Sequence, residues 1–169
     1  MTKQQSTVYL CLGANLGDRL LALRQSVRHL DERDDLNVRK VSGAYETEPW
    51  GLPEQPKFLN IAVEIETALA PLELLHAVKA LEKRMGRLPE ERWGPRPIDI
   101  DIILWGRLVM RTPELTLPHE HFRVRHFVLA PLAEIAPCAL DPETGLTVSE
   151  LLHDIEPQAA IRRADVIFS

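Results

Sequence analysis

Asp99 and Asp101 interrupt Ile98-Asp99-Ile100-Asp101-Ile102-Ile103-Leu104-Trp105, a run that otherwise has the apolar make-up of a β-strand. Positions two apart in a strand share a face, so both carboxylates point the same way. Two like charges on one face repel, and burying them without a partner is unfavourable, so positive charge is expected close by. Arg92 and Arg96 stand just upstream. One reading is a structural ion network of these four residues. The other is that the carboxylates hold Mg2+ while guanidinium groups hold phosphate, as proteins commonly do when they bind a magnesium nucleotide. Thr or Ser would furnish the second face of such a strand at much lower cost, so retaining two acids favours chemistry.

There is no Gly-Lys-Ser/Thr phosphate loop, and Gly13 and Gly17 lack the spacing of a dinucleotide site. Any phosphate must therefore be held by side chains. Arg87, Arg92, Arg96, Arg123 and Arg125 are candidates, because the guanidinium fork matches phosphate oxygens. His119, after Leu117-Pro118 in a loop-like segment, is a phosphate donor, an acid or base, or a plain loop hydrogen bonder. His29, His76 and His153 fall within helical segments, and no histidine trio has metal-ligand spacing. Cys11 and Cys138 lie far apart in apolar surroundings, without a Cys-x-x-Cys, and read as small buried residues.

The elements that must position these groups follow from periodicity. Thr7 to Leu12 reads as a strand broken by Gly13-Ala14-Asn15-Leu16-Gly17-Asp18, and Leu16, Leu20, Leu23, Val27 and Leu30 have helical spacing, with Asp18 at the favourable end of the dipole. Val38 to Thr47 and Phe58 to Leu69 read as strands, separated by a Pro-rich loop carrying Trp50 as a core cap or a lid residue. Pro71 opens a second helix with Leu74, Leu75, Val78, Leu81 and Met85 on one stripe, and Gly86 ends it. The order strand, helix, strand, strand, helix, strand is that of an α+β, ferredoxin-like βαββαβ core, an antiparallel sheet with helices on one face. Beyond Gly106 the pattern weakens to a short strand at Leu108-Val109-Met110, a helix over Arg123 to Ile135 with Pro131 at its start or at a kink, and a short helix with a Thr147/Glu150 capping box. We read one domain over residues 1–169 with a C-terminal extension.

With 169 residues the chain has room for one full core but not two. A net charge of -5 and 5% aromatic residues disfavour a nucleic-acid surface, leaving small anions as the partners of the arginines. The polar N-terminus and the lack of a run of about 20 apolar residues give no signal peptide or membrane span, so a soluble, cytoplasmic protein is expected. Split βαβ sheets also serve small-ligand and regulatory domains, but those do not need paired acids beside several arginines.

Arg92-Trp93-Gly94-Pro95-Arg96-Pro97-Ile98-Asp99-Ile100-Asp101-Ile102-Ile103 resembles the signature of the 6-hydroxymethyl-7,8-dihydropterin pyrophosphokinase family of folate biosynthesis. The resemblance extends, in the family's order, over Leu12 to Gly17, Tyr45 to Pro49, Phe58-Leu59-Asn60, Gly86-Arg87, Leu117-Pro118-His119 and Arg125-His126-Phe127. It implies transfer of an intact pyrophosphoryl group from ATP to the hydroxymethyl oxygen of the dihydropterin, giving AMP and the pterin diphosphate. It further implies that Asp99 and Asp101 hold two Mg2+ ions and that Arg87, Arg92, His119 and Arg125 clamp phosphate oxygens. Glu82, Arg96 and Ile102 would lie by the nucleotide. Thr47 and Asn60 would hydrogen-bond the pterin edge, Phe58 and Phe127 would sandwich its ring, Trp93 would close over it, and Trp50 would stand in the pterin loop. A monomer is expected. Four positions depart from the family: Pro89 stands where a second loop arginine is common, Glu120 where an aromatic residue is frequent, Phe58 where a tyrosine is frequent, though it keeps the stacking face, and Trp50 where an aliphatic one is usual.

Overall fold

The computed structural model describes residues 3–47, 56–86, 97–155 and 161–164. Strand β1 (Ser6–Ala14) leads through α1 (Arg19–Asp31) to β2 (Leu36–Val41), β3 (Ala44–Thr47) and β4 (Phe58–Thr67). Then come α2 (Pro71–Arg84) and β5 (Asp99–Trp105), followed by the two-residue strands β6 (Met110–Arg111) and β7 (Thr116–Leu117). A 3-10 turn (Phe122–Val124), α3 (His126–Ile135), α4 (Val148–His153) and β8 (Ile161–Ala164) complete the order. The main sheet runs β5-β1-β4-β3-β8, with β2 also on β4 and every neighbour antiparallel. This is the expected split βαβ arrangement, in which the first strand lies inside the sheet and the strand carrying the two acids forms an edge.

Alternation divides the strand residues between two cores. Val8, Leu10 and Leu12 of β1, Ile61, Val63 and Ile65 of β4, and Ile100 and Ile102 of β5 pack with Leu23, Val27 and Leu30 of α1 and Leu74, Val78 and Leu81 of α2. Both helices of the βαββαβ core thus lie on one face, as expected, and the C-terminal extension covers the other. Cys11, Ala62 and Ile103 there meet Phe122, then Val128, Leu129 and Leu132 of α3 and Val148 and Leu151 of α4. The C-terminal extension thus supplies a third layer that the period of the first six elements does not announce.

Local chemistry sets the boundaries. Asp18 caps α1, its carboxylate accepting from Leu21 N at 3.0 Å, rather than lying in the first turn. Pro71 is the first residue of α2, and Gly86 ends that helix at φ 96°. The Thr147/Glu150 capping box forms as expected. The single strand expected over Val38 to Thr47 is two strands, because at Ser42 the side-chain hydroxyl takes the N–H of Ala62 at 2.8 Å in place of a ladder carbonyl. Glu134 of α3 holds this break, accepting Gly43 N at 2.7 Å and the Tyr45 hydroxyl at 2.8 Å. The short strand expected at 108–110 lies at Met110–Arg111, paired with Thr116–Leu117. Pro131 sits inside α3 and is buried. Cys138, expected to be buried, is exposed in the turn that follows α3, whereas Cys11 is buried as read.

Candidate active site

Strand β5 pairs with β1 so that Asp99 faces Gly13 and Asp101 faces Cys11. Both acids therefore share the sheet face of Cys11, while Ile100 and Ile102 enter the opposite core. The period-two reading of this stretch holds. The acids open into a cleft of about 400 Å³. Leu75 and Lys79 of α2, Glu114 to Thr116, His119 to His121 and Arg125 complete its lining.

Each of these groups is held from behind. Glu82 is buried in α2, and its Oε1 accepts Ile100 N at 2.8 Å, on the edge of β5 that no strand among the described residues covers. Lys79, one turn earlier, brings its Nζ to 3.4 Å from both Glu82 oxygens. His119 N donates to Ile103 O at 2.9 Å, tying the histidine loop to the same strand just after the cis Leu117–Pro118 bond. Its Nδ1 accepts His121 N at 3.2 Å, which leaves the imidazole proton on Nε2. Arg125 is buried at the N-cap of α3, with its guanidinium carbon 5.6 Å from the centre of the Phe127 ring.

The electrostatics reflect this crowding. Burial, then repulsion from Asp99, pushes the Asp101 carboxyl up to about 7; Lys79 and Arg125 pull it down, and Glu82 adds to the rise. Burial also raises the Cys11 thiol well above its ordinary value, with Asp101 and Asp99 contributing. Burial, followed by Arg125 and His121, lowers His119 to about 4, so its imidazole is neutral at neutral pH. Two carboxylates on one strand face, with Asp101 pushed up chiefly by burial and further by its neighbour, fit a hard divalent cation that would offset both. Among the described residues no group of three or more His, Cys, Asp or Glu side chains is arranged to hold a metal. Two protein carboxylates with phosphate oxygens and water completing the shell is the usual manner of Mg2+.

Of the pterin candidates, Phe58 and Asn60 lie on β4, two strands from β5, Thr47 lies on β3, three strands away, and Phe127 lies in the first turn of α3. Asn60 pairs with Gly13 on β1 and with Tyr45 on β3. Its Nδ2 donates to Thr47 Oγ1 at 3.0 Å, and both residues are buried. Phe58 is opposite Thr47, so these three residues meet at the start of β4, and Phe127 is the second residue of α3. Ile102 lines the cleft from the core, and Glu120 is exposed at its rim. Trp50, Arg87, Pro89, Arg92, Trp93 and Arg96 lie outside the described residues.

One candidate is excluded and one residue was not singled out. Arg123 is not a phosphate ligand: its Nε and Nη2 are taken by the fully buried carboxylate of Asp141, the Nη2 contact at 2.9 Å. Lys79 lines the cleft, and its spacing of three from Glu82 is the signal the sequence offers for it.

A sequence profile of the 7,8-dihydro-6-hydroxymethylpterin-pyrophosphokinase (HPPK) family matches residues 9–137. The chain is 50% identical over 127 residues to the 2-amino-4-hydroxy-6-hydroxymethyldihydropteridine pyrophosphokinase of Bacillus subtilis, covering 75% of this chain and 76% of that protein. It is 43% identical over 154 residues to the protein of the same name from Methylorubrum extorquens, covering 91% and 96%. Its fold superposes on the Plasmodium falciparum HPPK-DHPS chain crystallised with pteroate at a TM-score of 0.71 and 16% identity. That match covers 90% of this chain but 43% of the other, which is more than twice as long.

Proposed function

As the chain belongs to the 7,8-dihydro-6-hydroxymethylpterin-pyrophosphokinase family, we propose that its sheet-edge cleft carries out that family's reaction with the residues named below. The reaction moves a pyrophosphoryl group from ATP to the hydroxymethyl oxygen of 6-hydroxymethyl-7,8-dihydropterin: the alcohol oxygen bonds to the β-phosphorus, the bond from that phosphorus to the α,β-bridging oxygen breaks, and AMP leaves. The observation that carries the assignment is the placing of Asp99 and Asp101 on one face of an edge strand, beside His119 and Arg125 and on the same sheet as the Asn60–Thr47 pair.

Asp99 and Asp101 would hold two Mg2+ ions. Bound there, the metal would offset the triphosphate charge that repels an incoming alcohol and would orient the phosphoryl group for in-line attack. Arg125 and the Nε2–H of His119 donate to phosphate oxygens in the same cleft, and both are pre-organised: one by the start of α3, the other by the Ile103 and His121 backbone. Glu82 fixes the strand between the two acids, and Ile102 and Glu82 back the nucleotide. Asn60 and Thr47 read the polar edge of the pterin while Phe58 and Phe127 supply its stacking faces, the combination a flat heteroatom-rich ring requires. Arg87, Arg92 and Arg96 add phosphate contacts, with Trp93 and Trp50 on the pterin side. The chain works as a single domain over residues 1–169, a monomer in the cytoplasm; among the described residues no helix is long and apolar enough to cross a membrane.

Purified protein incubated with ATP, Mg2+ and the dihydropterin, with and without EDTA, tests this by chromatography of AMP and pterin diphosphate. Both products should appear in equal amounts and only with metal. ADP with a pterin monophosphate would mean that a different bond breaks and would overturn the reading.

A further inference from the structure

Gly13 lies in extended backbone inside β1, not in the turn that follows, so no unusual φ requires a glycine there. What requires it is space. A Cβ built at Gly13 would fall 2.6 Å from Asn60 Oδ1, and 3.5 Å from Phe58 Cδ1. The first distance is far inside van der Waals contact. Asn60 has no easy retreat, because it is 4% exposed and its amide nitrogen is engaged by Thr47 Oγ1. A shift that accommodates a methyl group draws the amide away from Thr47 or turns it, whereas the Phe58 ring is met only at ordinary contact distance.

The position of Gly13 adds a second consequence. It pairs with Asn60 on one side and with Asp99 on the other, so one row across the sheet runs Asn60, Gly13, Asp99. Neighbouring strands are about 4.8 Å apart, so this row spans about 10 Å with no side chain at its centre. A pterin edge on Asn60 and a phosphate chain at Asp99 would meet above the gap.

We propose that Gly13 is a positioning residue of the pterin site: its missing side chain keeps the Asn60 amide against Thr47 and leaves open the lane between the pterin and phosphate halves. The proposal rests on the reading of Asn60 as a pterin ligand, and its test separates the two. Gly13→Ala, Asn60→Ala and the double variant are compared with the parent by calorimetric titration of the dihydropterin in the presence of Mg2+ and a non-hydrolysable ATP analogue. Thermal unfolding and titration of the analogue alone accompany each. A buried steric conflict of this kind couples neighbours strongly, so Gly13→Ala should weaken pterin binding by about tenfold or more, with nucleotide affinity changed by less than about twofold. In the Asn60→Ala background the same methyl should cause less than about a twofold further loss, and the melting temperature lost in Gly13→Ala should largely return. That rescue is what a general weakening of β1 would not produce.

If Asn60→Ala weakens pterin binding but Gly13→Ala binds like the parent, the proposal fails and the pterin reading stands. If Asn60→Ala binds pterin normally, the reading of Asn60 fails and takes the proposal with it. Should Gly13→Ala be too unstable to titrate, the double variant decides: recovery of folding supports the conflict with Asn60, and continued instability overturns it.

Discussion

The buried carboxylate of Glu82 accepts the backbone N–H of Ile100 at 2.8 Å, and Ile100 is the residue between Asp99 and Asp101. An edge strand has a row of unpaired amides, and an orphaned one in a buried setting is unfavourable. Helix α2 thus fills the open edge of β5 at the point from which both acids project. Glu82→Ala should lose about 1–3 kcal/mol of stability by leaving that N–H unpaired, whereas Glu82→Gln keeps an acceptor and should lose less. Urea unfolding of the two variants measures the difference. Equal midpoints for Ala, Gln and parent would show that the contact does not hold the strand.

Asp99 and Asp101 should be separable from the fold. Because the two carboxylates repel each other in the absence of metal, Asp101→Ala should leave the metal-free protein at least as stable as the parent. Turnover should nevertheless fall by about a hundredfold or more for either Asp→Ala change, the scale of losing one group that stabilises transition-state charge, about 3 kcal/mol. Initial rates at saturating ATP and Mg2+ check this, and a loss of only a few-fold would remove the metal assignment.

The Asp101 carboxyl stands at about 7 in the folded protein against an ordinary value of 3.8. The folded state therefore keeps a proton that the unfolded chain releases in between. Stability from this group is complete below the ordinary value and is lost as pH rises to about 7, since there the native state binds more protons. Mg2+ needs the ionised carboxylate and relieves the repulsion that ionisation creates. Its stabilising effect should therefore be larger at about pH 8 than at about pH 6, and Asp101→Asn should flatten the difference. Melting curves with and without Mg2+ at the two pH values test the sign; an equal shift at both would contradict it.

Arg123 belongs to the scaffold. It joins the 3-10 turn to the 141–144 turn through Asp141, which also accepts Glu143 N at 3.0 Å and the Thr144 hydroxyl at 2.8 Å. Burial raises the Asp141 carboxyl, but hydrogen bonds from Arg123, Thr144 and Glu143 outweigh it and hold it below its ordinary value. Stability from Asp141 is accordingly present above the ordinary carboxylate range and lost as pH falls through the lower folded value. Arg123→Ala should destabilise by about 2–3 kcal/mol, less than a fully buried pair because the arginine is partly exposed, while nucleotide affinity of the folded protein stays within about twofold. A tenfold loss of nucleotide affinity at unchanged stability would return Arg123 to the site.

Periodicity made β5 and its two acids legible because a strand sorts residues by parity alone, and a ligand-bearing parity class stands out against Ile100 and Ile102. It could not separate Arg123 from Arg125, since the deciding partner, Asp141, is distant in sequence and joined only by the turn of the chain after α3. The break at Ser42 was hidden for a related reason: a hydroxyl replacing a ladder carbonyl leaves the apolar pattern on both sides intact. Gly13 looked like part of a turn because glycine is the usual mark of one; its real constraint is a side chain on the neighbouring strand, which no local pattern records. The helix of α3 was legible despite Pro131, but its place on the second sheet face was not, because a periodic pattern marks a buried stripe without saying which layer it meets.

His119 provides a test of protonation state as well as of contact. Its Nδ1 accepts His121 N, so the ring offers one donor, Nε2–H, without being charged, and at a folded value of about 4 it remains neutral through the physiological range. A bound phosphate would raise that value, but the hydrogen bond itself does not need the imidazolium. His119→Ala should therefore weaken ATP binding by about tenfold, the scale of a hydrogen bond to a charged group. The deficit should be nearly constant from about pH 6.5 to 8, where an imidazolium donor would make it shrink as the parent lost its proton. His119→Gln, which presents an amide donor at similar reach, should recover part of the loss. Titrations of an ATP analogue across that range decide the matter: a deficit that vanishes at high pH would mean the histidine binds phosphate as a cation, and no deficit at all would place it outside the nucleotide site.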